Sequence, residues 1–157
     1  MIGLLALVVV ILVGDRLTGG RLSGGGQHAV DEKATTLEIP GVGSVPLFLN
    51  PSDPVITQSI LTEGIWEASD THWFVKAVRP GDIVVDAGAN IGYYTILASK
   101  LVGPTGRVYA FEPDPTAFEI LQRNIRANGA DNVVAEQKAL SNANTTRALH
   151  RLGQQGR

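Results

Sequence analysis

Apolar and polar positions divide the chain into three unlike stretches. Met1 to Gly14, "MIGLLALVVVILVG", is unbroken apolar sequence. The next segment, "GDRLTGGRLSGGGQ" from Gly14 to Gln27, is Gly-rich and polar, the composition of a flexible tether. Beyond it, short apolar runs alternate with helical periodicities. "TLEIP" and "SVPLFLN" predict strands over Thr36–Pro40 and Ser44–Asn50, with "PGVG" turning between them. "NPSDP" reads as a loop from its turn residues. Ser69 or Asp70 can cap a helix in which Trp73, Phe74, Ala77 and Val78 recur at helical spacing, with Trp73 and Phe74 expected in the core. Pro80-Gly81 ends that helix.

The second half is more regular. "IVVDA", Ile83 to Ala87, is a β-branched run whose continuous apolarity suits a strand buried on both faces. Ile91 to Val102 has a helical pattern, stopped by Gly103-Pro104. "RVYAFE", Arg107 to Glu112, predicts the next strand. Asp114 caps a helix that opens on Pro115 and carries Phe118, Leu121 and Ile125 as its inner stripe; Asn128-Gly129 ends it. "NVVAEQKAL", Asn132 to Leu140, predicts a third strand. This β-α-β-α-β order with short links argues an α/β fold with a parallel sheet and helical crossovers. After Ser141 the pattern weakens, with "TRALHRL" as one further candidate strand. The expected organisation is therefore an apolar segment (1–14), a linker (15–35), a strand and helix lead-in (36–80) and a Rossmann-like unit (81–157).

Composition narrows the chemistry. A chain of 157 residues suits one domain. The net charge of −2 offers no polycation for nucleic acid. Without cysteine, disulfides, thiolate metal sites and a Cys nucleophile are excluded. His28, His72 and His150 lack metal-ligand spacing, so no metal is expected. The opening apolar run falls short of the about 20 helical residues that a bilayer core requires. It lacks the Lys/Arg n-region and cleavage site of a signal peptide. It reads as an apolar helix that contacts a membrane as a short anchor, as a signal-like segment, or as what is left of a longer helix; a core strand is the plainer alternative. Arg16 and Arg21 favour a cytoplasmic domain behind a single-pass anchor, the alternative being a cytoplasmic protein.

The loop "DAGANIG" lies between a strand and a helix, where parallel sheets bind ligands. A Walker loop needs Gly-Lys-Ser/Thr, whereas Tyr93, Tyr94 and Thr95 follow Gly92. The dinucleotide fingerprint needs G-x-G-x-x-G, whereas Gly88-Ala89-Asn90-Ile91-Gly92 has a different spacing. Asp86 sits two residues before the first glycine, where its charge would repel a pyrophosphate and favour a cation. S-adenosylmethionine has no phosphate and carries a sulfonium and an α-ammonium. Glu112, 24 residues after Gly88, stands where a ribose-binding acid belongs. Nicotinamide enzymes use such an acid too, so a nicotinamide-dependent oxidoreductase is the rival reading, and a non-catalytic remnant is a third.

"GDIVVDAGANIGYYTILASKLVGPTGRVYAFEPDPTAFEILQRNIRANG" closely resembles the FkbM-type methyltransferases, a branch of the class I S-adenosylmethionine-dependent fold. The resemblance spans about Thr36 to Gly153 and includes the lead-in "NPSD…LTEGIWEASD". It implies a cofactor loop at Asp86, Gly88, Asn90 and Gly92, a ribose acid at Glu112, and an adenine-side approach near Lys138 to Leu140, taken at Ala139. It also implies O-methylation of a sugar or small-molecule hydroxyl, though no residue stands out as the general base. Each position has a plainer reading. Gly88 and Gly92 can serve only a tight turn, Asn90 only as an N-cap, and Glu112 as a surface acid. Tyr93 and Tyr94 read as packing residues, and Glu67 as either a structural or an active-site acid. The class I sheet has seven strands, and this chain ends before the fourth. The expectation is an incomplete sheet with an open edge on the first Rossmann strand, a C-terminally truncated fragment and weak catalysis.

Overall fold

The computed structural model describes residues 6–10 and 33–142. In chain order the elements are β1 (Ala6–Val10), β2 (Lys33–Ile39), β3 (Gly43–Leu49), α1 (Pro54–Glu63), α2 (Ala68–Ala77), β4 (Ile83–Ala87), α3 (Tyr93–Val102), β5 (Arg107–Phe111), α4 (Pro115–Ala127) and β6 (Val133–Glu136). Four strands form one sheet in the order β1-β4-β5-β6, and every neighbouring pair is parallel. Helices α3 and α4 make the crossovers that parallel pairing demands. Strands β2 and β3 form a separate antiparallel hairpin.

The hairpin alternates as its sequence predicts. Leu37 and Ile39 on one strand, and Val45, Leu47 and Leu49 on the other, are buried while their neighbours face out. Their apolar face joins Val84 and Val108 of the sheet and Ile96, Leu97 and Val102 of α3 in one core. Helix α3 packs against β4 and β5 as well as against β3 and α2. It is therefore apolar around its circumference, with every residue from Tyr93 to Ser99 buried. This burial fixes the helix whose N-terminus abuts the candidate loop.

Four features go beyond the sequence reading or correct it. Within the run read as an apolar helix, Ala6–Val10 forms strand β1, paired in parallel register from Ala6 opposite Ile83 to Val10 opposite Ala87. Its Val8-Val9-Val10 core is β-branched and apolar at successive positions, which suits a parallel strand. The edge of β4 that was expected to be open is covered by this strand. The rest of the run, the tether, His28, His150 and "TRALHRL" lie outside the described residues. No helix among the described residues is long and apolar enough to cross a membrane.

The second is α1, absent from the sequence reading. Asp53 Oδ1 accepts from the backbone N–H groups of Val55 and Ile56, and Pro54 takes the first helical position. The third is Trp73, which is 68% exposed. Only Thr71, Phe74 and Val78 line the buried stripe at this end of the lead-in, and Trp73 points away from it. The fourth is the third Rossmann strand, which stops at Glu136. Beyond it the apolar alternation is lost, and the Lys138 N–H turns back to the Glu136 carbonyl.

Candidate functional site

The parallel register brings the tips of β4 and β5 side by side, with Ala87 opposite Phe111. Asp86 and Glu112 therefore stand at adjacent strand ends. Asp86 is 1% exposed. The Thr95 hydroxyl, on the first turn of α3, donates to its Oδ2 at 2.5 Å. Its Oδ1 is buried and has no hydrogen-bond partner. Burial pushes this carboxyl up to about 6; the Thr95 hydrogen bond opposes that shift and the charge of Glu112 adds to it.

The loop between β4 and α3 is built by three left-handed residues. Gly88, Asn90 and Gly92 have φ of 85°, 49° and 89°. The Gly88 and Ala89 N–H groups both donate to the Phe111 carbonyl, tying the loop to the β5 tip. Gly92 has a second requirement: a β-carbon there would lie 2.5 Å from Cδ1 of Leu121, which is itself fully buried. Gly92→Ala should therefore combine backbone strain with overpacking and cost about 2 kcal/mol in urea unfolding. A change under half that size would mean that α4 shifts freely.

Asn90 does not cap α3; Gly92 is the N-cap residue, without a side-chain bond. Instead the Asn90 backbone N–H donates to Glu112 Oε2 at 2.8 Å, and its Nδ2 donates to Asp53 Oδ2 at 3.3 Å. Its Oδ1 is buried without a partner. Glu112 is no surface acid either. It is buried, and its Oε1 accepts from the Asp114 N–H at 2.7 Å. Burial raises its pKa, against the lowering effect of the Asp114 and Asn90 N–H groups. Each of its oxygens keeps a further lone pair for a hydroxyl donor.

Facing the loop is a wall from the lead-in and the first turn of α3. Ile56, Trp66, Tyr93 and Tyr94 line a crevice together with Asp86, Gly88, Ala89, Asn90 and Ile91. No Lys, Arg or His among the described residues lines it. Tyr93 and Tyr94 pack edge to face, as expected, but their hydroxyls also bind the lead-in. Tyr94 donates to Glu67 Oε2 at 3.1 Å, and the Tyr93 hydroxyl lies 3.1 Å from Thr71 Oγ1.

The structure thus gathers Asp86, Gly88, Asn90, Gly92 and Glu112 into one loop and strand-tip cluster. Ala139 is not part of it: it is exposed beyond the end of β6 and lines no part of the crevice. Sequence reasoning missed Asp53, Trp66 and Thr95. Asp53 was legible, because Asp-Pro is the same helix-start signature that marks Asp114-Pro115. Among the described residues no group of three acids or histidines could hold a metal ion.

Comparison with known proteins adds a family. The TRM5/TYW2 methyltransferase domain matches residues 67–148, just over half of the chain. The ribosomal protein L11 methyltransferase of Bacillus cytotoxicus is 42% identical over 60 residues, which is 38% of this chain and 19% of that protein. Its counterpart from Bacillus cereus is 40% identical over the same length. The chain thus spans about a fifth of the length of the curated relatives it matches. The crystal structure of M. jannaschii TYW2 in complex with AdoMet aligns with a TM-score of 0.47 and 28% identity, covering 73% of this chain and 44% of that one.

Proposed function

The chain belongs to the TRM5/TYW2 family of S-adenosylmethionine-dependent methyltransferase domains, and from that premise we propose that it holds S-adenosylmethionine in the crevice between the β4 tip and the lead-in. The observation that carries the reading is Asp86 Oδ1, a buried and unpartnered carboxylate oxygen beside a crevice that no basic side chain among the described residues lines. Such a site disfavours phosphates and favours a cationic, phosphate-free ligand. Glu112, held by two backbone N–H groups, would accept from the ribose hydroxyls. Asn90 and the glycines let the backbone approach the ligand closely.

When bound, this cofactor supplies an electrophilic methyl carbon on a sulfonium. The protein's part is alignment and exclusion of water. Tyr93, Tyr94 and Trp66 wall the crevice, and the Thr95 hydroxyl orients the Asp86 carboxyl. For the acceptor we favour a sugar or small-molecule hydroxyl, on the FkbM-type pattern of "DAGANIGYYT" followed by "AFEPDP". A second acceptor class, a ribosomal protein, is favoured by the relatives named for that substrate. Membrane attachment through residues 1–14, with a cytoplasmic domain, is a further proposal that competes with the pairing of β1 on β4; resistance of the full chain to alkaline extraction from membranes would favour it, and ready extraction would favour the strand.

Calorimetric titration of the full chain tests the cofactor reading. S-adenosylmethionine should bind, and Glu112→Gln should weaken it about tenfold while the circular dichroism spectrum is retained. Stabilisation by NADH with no response to S-adenosylmethionine would replace the reading with the oxidoreductase.

A further inference from the structure

Glu67 and Asn90 are the non-glycine residues with positive φ among those described. Asn90 belongs to the loop already assigned. Glu67, with φ 44° and ψ 64°, is the N-cap residue of α2, yet its side chain makes no capping bond. An acid at that position ordinarily turns toward the free N–H groups of its own helix. Here the carboxylate turns to α3 and accepts from the Tyr94 hydroxyl at 3.1 Å. The segment is pinned on that side: the Trp66 N–H donates to the Tyr93 hydroxyl at 3.4 Å, and the Thr71 hydroxyl donates to the Trp66 carbonyl at 2.7 Å. Trp66 and Tyr94, the two neighbours of Glu67 in these contacts, both line the crevice that holds Asp86. No basic side chain among the described residues pairs with Glu67.

Glu67 is not itself among the residues that line this crevice, but a half-buried carboxylate bonded to the hydroxyl of its lining Tyr94, where no basic side chain among the described residues lines the crevice, suits an organic ammonium. The acid accepts its N–H groups and the aromatic faces favour its diffuse charge. Asp86 Oδ1, buried and unpartnered in the same crevice, points independently to a missing ligand. We propose that Glu67 holds the α-ammonium of the cofactor's aminoacyl arm. The proposal rests on the cofactor assignment above and deepens it, because it splits recognition in two. Glu112 reads the ribose, and Glu67 reads the amino acid.

The test compares three ligands on the full chain: S-adenosylmethionine, S-adenosylhomocysteine and 5′-methylthioadenosine. The last keeps the nucleoside and lacks the aminoacyl arm. Glu67→Gln should weaken the first two about tenfold and leave the third within twofold. Glu67→Gly relieves the left-handed strain, so it should melt no earlier than the wild type and still lose affinity for the first two. Equal weakening of all three would mean a merely structural role and overturn the proposal. Weakening of S-adenosylmethionine alone would place the acid at the sulfonium and overturn it too. If wild type binds none of the three, the cofactor assignment itself falls. If wild type binds all three and Glu67→Gln changes nothing, this inference alone falls.

Discussion

Asn124→Ala is expected to destabilise the fold by about 3–5 kcal/mol, more than truncation of any other buried polar side chain among the described residues. Asn124 is fully buried on the inner face of α4. Its Oδ1 accepts from the Phe48 N–H at 2.7 Å, and its Nδ2 donates to the Phe48 carbonyl at 3.0 Å and to the Ile91 carbonyl at 2.7 Å. One amide thereby acts as a partner strand for the free edge of β3 and as a tie to the loop between β4 and α3. Alanine would leave three backbone groups without their partner in a place that water reaches poorly. Asn124→Asp should be no better, because it keeps the acceptor for Phe48 but faces a charge toward two carbonyl oxygens. Asn128 adds a second tie, its Nδ2 donating to the Pro46 carbonyl at 2.8 Å. Urea unfolding at neutral pH gives the answer. A loss for Asn124→Ala below about 1 kcal/mol would show that the hairpin docks by apolar contact alone. Because Ile91 sits in the loop, the variant should also bind S-adenosylmethionine more weakly than its residual fold would suggest.

Asn124 also marks the limit of what the pattern of residues could disclose. The apolar spacing in α4 points to Phe118, Leu121 and Ile125 as the inner stripe, whereas Ala117, Ile120, Leu121 and Asn124 are the buried positions. That spacing locates the helix but not its rotation, since an asparagine in the stripe looks like a surface residue until its partners, 76 and 33 positions away, are known. Strands β4 and β5 and their crossover α3 were legible because β-branched runs and a Gly-Pro stop are local signals. So were the two acids, because a strand tip is a fixed place once the strand is known. The lead-in wall was not legible. Trp66 lines the crevice and Glu67 bonds its lining Tyr94 by way of a left-handed residue that no local pattern requires, and the pairing of β1 with β4 joins segments more than 70 positions apart. Ala139 lies outside the cluster for a related reason: its strand ends three residues earlier, once the apolar alternation ceases.

The other large effect concerns Asp86 and pH. Its carboxyl titrates near 6 in the fold, against an ordinary 3.8. A carboxyl raised by folding is favoured in its protonated form, so the folded state binds more protons than the unfolded chain between these values. Its share of stability is therefore complete below about pH 4 and is lost as pH rises through 6, amounting to about 3 kcal/mol across the window. Glu112 is raised as well and acts in the same direction. Asp86→Asn removes the ionisation while leaving an oxygen to accept from Thr95. The variant should therefore lose most of that slope and be more stable than wild type at pH 8, by up to about 3 kcal/mol, with little difference at pH 4. The advantage comes with a loss of function, since the charge that penalises the empty fold is the one proposed to attract the cofactor. A cation beside Asp86 favours its ionised form, so binding near pH 6 should release a proton. Affinity for S-adenosylmethionine should then rise with pH between about 5 and 7 in wild type and rise less steeply in Asp86→Asn, where only Glu112 remains to ionise. Urea midpoints at the two pH values, with calorimetry in buffers of different ionisation enthalpy, read both halves. A stability difference between the two proteins that does not change with pH would mean that Asp86 ionises as freely in the fold as in water, and the buried acid would then have no claim on a cation.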